Sequence, residues 1–124
     1  MRAVAILLLS LAVCASAVKV GAKTQTRVWP CYWVKGRMTV GSGTPATRIW
    51  PVGTHRMLGV VSLQHPIPDD AYPPDIPSNV AKKQAASASD TIWGNFYVCP
   101  VAPERSGWMR FVVIKKANGL FAGR

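Results

Sequence analysis

The sequence predicts an all-β domain, a small antiparallel β-sandwich or open barrel, on three observations. Short apolar stretches of strand length recur along the chain, and turn residues separate them at intervals of about 8 to 15 positions. No amphipathic pattern of three helical turns follows the N-terminal apolar run. A chain of 124 residues is also of the size of one domain.

The first predicted strand is the clearest, because residues 32–40 alternate between two faces. One face carries Tyr32, Val34, Gly36, Met38 and Val40, and the other carries Trp33, Lys35, Arg37 and Thr39. A period of two predicts a strand with one buried face. The glycines and proline of residues 41–45 then predict a turn into a second strand, residues 46–52. Because Pro51 has no backbone donor, we expect this strand to end there or to lie at an edge.

The third predicted strand covers residues 57–63, after a tight turn at residues 53–56. Gly59 within it indicates a bulge or a close backbone approach. Residues 64–79 contain five prolines, a density that neither a helix nor a central strand tolerates. Together with the small polar residues that follow, they form a predicted Pro-rich and polar insertion at 64–90.

This insertion leaves room for at most one short helix. The sequence favours residues 80–86 for it, with Ser78 or Asn79 as the N-cap. A fourth strand is predicted over residues 91–98, because β-branched and aromatic residues return there.

The C-terminal part predicts a central strand. Residues 108–116 include the stretch 111–114, which is apolar on both faces and is therefore expected to be covered on both. Asn118-Gly119 is the strongest short signal for a β-hairpin. We therefore expect a short last strand, residues 120–122, to fold back at that point. The order in which the strands pair does not follow from periodicity.

The N-terminus has the features of an export signal. Arg2 gives a positive start, residues 3–13 are almost entirely apolar, and Ala15 and Ala17 are the small residues that precede a signal-peptidase cleavage site. The apolar run is too short to span a bilayer core of about 30 Å. We expect cleavage near Ala17, a secreted or periplasmic protein, and only transient contact with the membrane during export.

On this interpretation, the chain has three parts. Residues 1–17 are the signal peptide, 18–27 a flexible basic arm, and 28–124 a single domain. An alternative is a lipoprotein, because Leu11 precedes Cys14 by three residues, as in a bacterial lipobox. Anchoring at Cys14 is less favoured, since the small residue that normally precedes the lipidated cysteine is replaced by Val13.

Cleavage would leave two cysteines, Cys31 and Cys99. An even count in an oxidising compartment predicts a disulfide between them. The closed loop would be long, and chain entropy assigns such a bond roughly 4 kcal/mol. Two reactive thiols are the alternative, although neither cysteine lies in a CxxC pattern.

The chain is strongly basic, with 15 Lys and Arg against five acidic residues and a formal net charge of +10. This balance favours polyanionic partners such as nucleic acid, lipopolysaccharide, teichoic acid or acidic lipids. The charges are spread along the chain without a run of five or more. A positively biased surface without a specific partner is the alternative, and we predict no specific nucleic-acid partner.

Several short motifs carry a resemblance to known domains. They are Val34-Lys35-Gly36-Arg37-Met38-Thr39, Gly43-Thr44-Pro45, Arg48-Ile49-Trp50, and the Thr91, Gly94, Phe96 and Val98 positions of a T-x-x-G-x-F-x-V segment. With them, the chain resembles transthyretin-like (prealbumin-like) β-sandwich domains. This resemblance implies a module that binds small ligands or proteins, or that supports an attached enzyme. Residues 43–60 and 96–100 are also similar to small exported bacterial proteins of uncharacterised function, from which no activity transfers.

Five tryptophans stand out in so short a chain. By alternation, Trp33 and Arg37 share the polar face of the first strand, and Trp50 and Arg48 share a face of the second. If the two strands pair, these four residues form an exposed aromatic and cationic patch that can stack on sugars or hold an anionic polymer. The alternative is cation–π pairing on an ordinary surface.

Catalytic interpretations are weaker. His55 and His65 are candidates for the general base and acid of a ribonuclease-type hydrolase, which also needs a cation at the phosphate. Asp69, Asp70 and Asp75 offer carboxylates for Ca²⁺, but their spacing matches no calcium loop. No serine lies in a G-x-S-x-G elbow, and two cysteines do not make a zinc site.

The sequence therefore predicts an exported, non-catalytic binding or structural module of the cell envelope. Its partner would be an envelope protein or an anionic glycan, and Trp33, Arg37, Arg48 and Trp50 would form the site. A small secreted hydrolase that uses His55 and His65 is the alternative. We predict no cofactor and no metal.

Overall fold

A computed structural model of the protein describes residues 27–123. The predicted signal peptide, the alternative lipid-bearing Cys14 and nearly all of the predicted basic arm lie outside the described residues. Within this range, no helix has both the length and the apolar character needed to cross a bilayer.

Five strands and one helix make up the described chain. They are β1 (Tyr32–Val40), β2 (Thr47–Pro51), β3 (Leu58–Val60), α1 (Ser78–Ser87), β4 (Thr91–Pro100) and β5 (Arg110–Ala122). The strands pair in the order β1-β2-β3-β5-β4, and β4 pairs with β1 to close a barrel. All neighbours are antiparallel except β3 and β5, which are parallel.

The all-β class is confirmed, but the sheet is neither a sandwich nor an open barrel. Alternation identifies the buried face of each strand without identifying the partner strands. Closure gives every strand two neighbours, although the short β3 pairs with only the first three residues of β5. Pro51 ends β2, as the sequence predicts.

The barrel interior holds the main core, and the alternation predicted for β1 is confirmed over residues 33–38, whereas Tyr32 and Val40 at the strand ends are each 39% exposed. Val34 and Met38 are buried, whereas Trp33 and Lys35, the two neighbours of Val34, are exposed. The other members of this core come from the remaining four strands and from α1. They are Ile49, Leu58, Val60, Val80, Ile92, Phe96, Val98, Val112 and Ile114.

The predicted helix forms, with a different start. It begins at Ser78 and its N-cap is Pro77, without a capping side chain. Neither Ser78 nor Asn79 is the cap. The Asn79 amide instead donates to the Ala117 carbonyl oxygen at 2.7 Å and ties the helix to β5. This contact holds Val80, which is fully buried, against the barrel core.

The predicted hairpin at Asn118-Gly119 is wrong, because β5 continues to Ala122. Trp93 pairs with Phe121 and Asn95 with Asn118, so β5 has one extra residue between these pairs. Gly119 has a φ of 60°, the left-handed conformation that a glycine bulge requires. The chain bulges at this position and stays paired with β4 as far as Ala122.

A second, smaller cluster lies outside the barrel. Val61, Cys99 and Val113 are buried in it. Cys31 and Cys99 form the predicted disulfide, one position beyond the first residue pair of β1 and β4. The stretch 111–114 is thus covered on both faces, as its apolar sequence predicts: Val112 lies inside the barrel and Val113 lies in the outer cluster.

Candidate binding face

The outward residues of β2, β1, β4 and β5 form a continuous surface, which we call the outer sheet face. On β1, this surface consists of the residues that the sequence predicts for the polar face of the strand. Trp33 is 48% exposed, and Arg37 is half-buried. The barrel core therefore positions these side chains, because their inward neighbours on each strand are fixed in it.

Arg37 lies between two tryptophans. Its register partners are Trp50 on β2 and Trp93 on β4. The guanidinium carbon lies 5.6 Å from the centre of the Trp50 ring and 5.8 Å from that of Trp93, both within cation–π range. The Trp93 ring stacks on Phe121 at 6.3 Å between ring centres. We call these four residues the Arg37 stack.

A surface hollow opens on the Arg37 stack. Its volume is about 270 Å³, and it is lined by Arg37, Trp50, Pro51, Val52, Gly53 and Trp93. The Trp50 indole N–H donates to the Thr54 carbonyl oxygen at 2.8 Å, which holds the ring against the β2–β3 turn. The hollow thus combines two aromatic rings and one cation in a place open to solvent.

The Arg37 guanidinium has no acidic or hydrogen-bonding partner among the described residues. A guanidinium has five N–H donors, so these are available to a ligand. The strands also contain no acidic residue. All five carboxylates of the chain lie in the connecting segments, at Asp69, Asp70, Asp75, Asp90 and Glu104. The outer sheet face is therefore cationic without internal neutralisation.

A second aromatic and cationic group lies further along the same face. Trp33 contacts its register partner Tyr97 at 5.1 Å between ring centres, with the rings tilted by 38°. Lys116 on β5 lies over both, with its Nζ 5.6 Å from the Trp33 ring centre and 4.9 Å from that of Tyr97. We call these three residues the Trp33 stack.

Arg48 is placed differently from the other predicted site residues. Its Nε donates to the Pro45 carbonyl oxygen at 3.0 Å, and its Nη1 contacts the Met57 sulfur at 3.9 Å. These contacts direct the guanidinium toward the β1–β2 connection, where it orders the turn. Of the four predicted residues, the structure thus brings Arg37 and Trp50 together and places Trp33 in the neighbouring stack.

Sequence reasoning missed Trp93, Tyr97, Lys116 and Phe121. The alternation in β4 contains a signal for the first two, because Trp93, Asn95 and Tyr97 occupy every second position and the residues between them are buried. Lys116 and Phe121 give no comparable signal. Bulges in β5 decide which of its residues face outward.

The two histidines are in different surroundings. His65 stacks on Tyr72 at 3.8 Å between ring centres, and its Nε2 lies 3.8 Å from an oxygen of Asp69. His55 lines a separate hollow of about 610 Å³ beside Met57 and Trp108, and His65 is not part of that lining. The hydrolase interpretation, which needs both histidines at one phosphate, gains no support from this arrangement.

The three loop carboxylates also act separately. Asp75 accepts from the Leu63 amide at 3.0 Å, Asp69 from the Ala71 amide at 2.9 Å, and Asp70 from a threonine hydroxyl at 3.3 Å. No group of three or more His, Cys, Asp or Glu side chains in residues 27–123 is arranged to hold a metal ion. Asp70 and Asp75 thus tie the Pro-rich insertion to residues outside it, whereas the Asp69 contact lies within the insertion.

The resemblance to transthyretin-like domains stays a prediction, and so does the similarity to small exported bacterial proteins. The geometry of the outer sheet face is therefore the basis for assigning a function. The chain matches no protein-family model, no curated protein and no solved structure.

Proposed function

We propose that the protein is an exported, non-catalytic binding module that holds an anionic glycan of the cell envelope on its outer sheet face. The observation that carries this proposal is the Arg37 stack. A guanidinium without a protein partner lies between two tryptophan rings at a solvent-open hollow.

The chemistry of this site suits an acidic sugar. An indole ring offers a flat apolar surface against which the C–H face of a pyranose ring can stack. A guanidinium offers parallel N–H donors that match a carboxylate, sulfate or phosphate group in two places. Trp50, Trp93 and Arg37 provide both features within one hollow of about 270 Å³.

Charge favours a glycan over a protein partner. The formal net charge is +10, and the strands that form the face carry no acidic residue, whereas most protein surfaces carry both signs. Five-stranded barrels of the OB type bind oligonucleotides and oligosaccharides on an outer strand face. This likeness supports a binding role by analogy. The outer sheet face of this protein lies over β1, β2, β4 and β5.

The disulfide supports export. Cys31 and Cys99 are bonded, and such bonds persist mainly in oxidising compartments. Together with the predicted signal peptide, the disulfide supports a location in which envelope polymers are accessible.

Two variants and one control test the proposal. We expect Trp50→Ala and Arg37→Ala each to weaken binding to immobilised lipopolysaccharide and polygalacturonate by about tenfold or more. A stacking ring is worth ~1–3 kcal/mol, and a hydrogen bond to a charged group is worth ~1.5–3 kcal/mol. Trp108→Ala removes an equally large ring that is 67% exposed and lies outside the face. It should bind like the parent.

Circular dichroism and thermal unfolding would verify that each variant is folded. Trp50→Phe, which keeps a ring beside Arg37, should recover part of the binding. Parent-like binding by folded Trp50→Ala and Arg37→Ala, or equal losses in Trp108→Ala, would show that the site is elsewhere.

A further inference from the structure

We propose that the Trp33 stack is a second subsite of the same face, and that the ligand is a linear anionic oligosaccharide lying along the strands. This inference rests on the proposed function, because it extends the site at the Arg37 stack. It assigns to Trp33, Tyr97 and Lys116 a role in binding the next part of one polymer.

The two stacks lie on the same two strands. Trp33 and Arg37 are four positions apart on β1, and their partners Tyr97 and Trp93 are four positions apart on β4. At 3.2–3.4 Å per residue, this separation is about 13 Å. One monosaccharide is too small to contact both stacks, whereas a short oligomer can reach from one to the other.

The surface between the stacks is polar and cationic. Lys35, Asn95 and Asn118 form a row across β1, β4 and β5. The Asn95 amide donates to the Asn118 side-chain oxygen at 3.0 Å, and Lys35 has no acidic partner among residues 27–123. Amide groups and an ammonium suit the hydroxyl and acidic groups of a sugar that joins two stacked neighbours.

The offset between the stacks also sets the direction of the ligand. They are separated along the strands and not around the barrel, so a chain that joins them follows the strand direction. A straight polymer can therefore contact both without bending around the convex sheet. The repeated pattern of ring and cation fits a polymer in which a stacking surface and a negative charge recur.

Single-stranded nucleic acid also combines rings with repeated charge. A glycan is favoured here because the predicted export signal and the disulfide both favour a location outside the cytoplasm. The test below includes an oligonucleotide so that the two classes are distinguished.

The probes are oligogalacturonates from monomer to hexamer, measured by isothermal titration calorimetry at constant ionic strength. For the parent protein, we expect affinity to rise by about tenfold or more between the monomer and the first oligomer that spans both stacks, because the second contact becomes intramolecular. Trp33→Ala with Tyr97→Ala should lose this gain and keep the monomer affinity. The double variant retains every charge, so a gain that came from charge alone would persist in it.

Trp33→Ala alone, with its fold verified by circular dichroism, is the milder variant and should lose most of the gain. Equal affinity of the parent for monomer and hexamer would overturn the second subsite and leave the proposed function intact. Persistence of the affinity gain in the folded double variant would also overturn the second subsite and leave the proposed function intact. Tighter binding of oligothymidylate than of oligogalacturonate would overturn the assignment to a glycan, and absence of binding by any oligouronide would end both proposals.

Discussion

At the scale of single residues, Arg37 shows how a cation becomes available to a ligand. Its neighbours Trp50 and Trp93 are rings and not carboxylates, so it is positioned by contacts that leave its N–H groups unused. Arg48 shows the opposite case, because the Pro45 carbonyl takes its Nε donor. Two arginines on neighbouring strands thus have different roles, which residue type and face alone do not distinguish.

At the scale of elements, the approach of β2 to β1 determines where Trp50 lies. Gly36 pairs with Pro51, and a Cβ atom at Gly36 would lie 2.6 Å from the Trp50 backbone carbonyl oxygen. Since this neighbour is backbone, it cannot move aside as a flexible side chain can. The absence of a side chain at Gly36 is therefore required for the two strands to meet at the Arg37 stack.

We expect Gly36→Ala to lower the free energy of unfolding by about 1–3 kcal/mol, as overpacked positions do. It should also weaken glycan binding, because β2 carries Trp50. Gly41→Ala is the matched control, since a Cβ there would have no neighbour within 4 Å. Urea denaturation measures both variants, and equal stability of the two would contradict the close packing of β1 against β2.

β5 shows how far sequence reasoning extends at this scale. The apolar stretch 111–114 correctly predicts that this part of β5 is covered on both faces, because apolar side chains on both faces of a strand indicate burial of both. The bulge at Gly119 is not predicted, since Asn-Gly favours a hairpin locally, whereas the pairing of β5 with β4 beyond this position joins distant segments. The outward placement of Phe121 depends on that bulge, so the sequence does not predict this member of the Arg37 stack.

On β1 and β2, the sequence predicted more of the site. Strict alternation from Tyr32 to Val40 places Trp33 and Arg37 on one face, which the structure confirms. The pairing of Arg37 with both Trp50 and Trp93 is a matter of register between distant segments. Register depends on the whole barrel, so alternation within one strand cannot supply it.

At the scale of the whole molecule, one covalent bond closes most of the chain into a loop. Cys31 and Cys99 are separated by 68 positions. The loop between them contains β1, β2, β3 and α1 in full and most of β4. Chain entropy assigns such a bond roughly 4 kcal/mol, a large part of the ~5–15 kcal/mol that holds a domain folded. The barrel alone is therefore expected to be marginal.

We expect reduction of this disulfide to lower the free energy of unfolding by roughly 4 kcal/mol. Guanidinium denaturation with and without a thiol reductant measures the change, and alkylation followed by mass spectrometry verifies the state of both cysteines. The midpoint should fall clearly in the reduced sample. An unchanged midpoint with both thiols alkylated would mean that the barrel is stable without the bond.

The most direct test of glycan binding on the outer sheet face is a titration of the ¹⁵N-labelled protein with hexagalacturonate, followed through the indole N–H signals. The signals of Trp33, Trp50 and Trp93 should shift together, because their rings lie in the two stacks. Those of Trp29 and Trp108 should remain in place. Shifts confined to Trp29 and Trp108, or no shift at any tryptophan, would contradict the account.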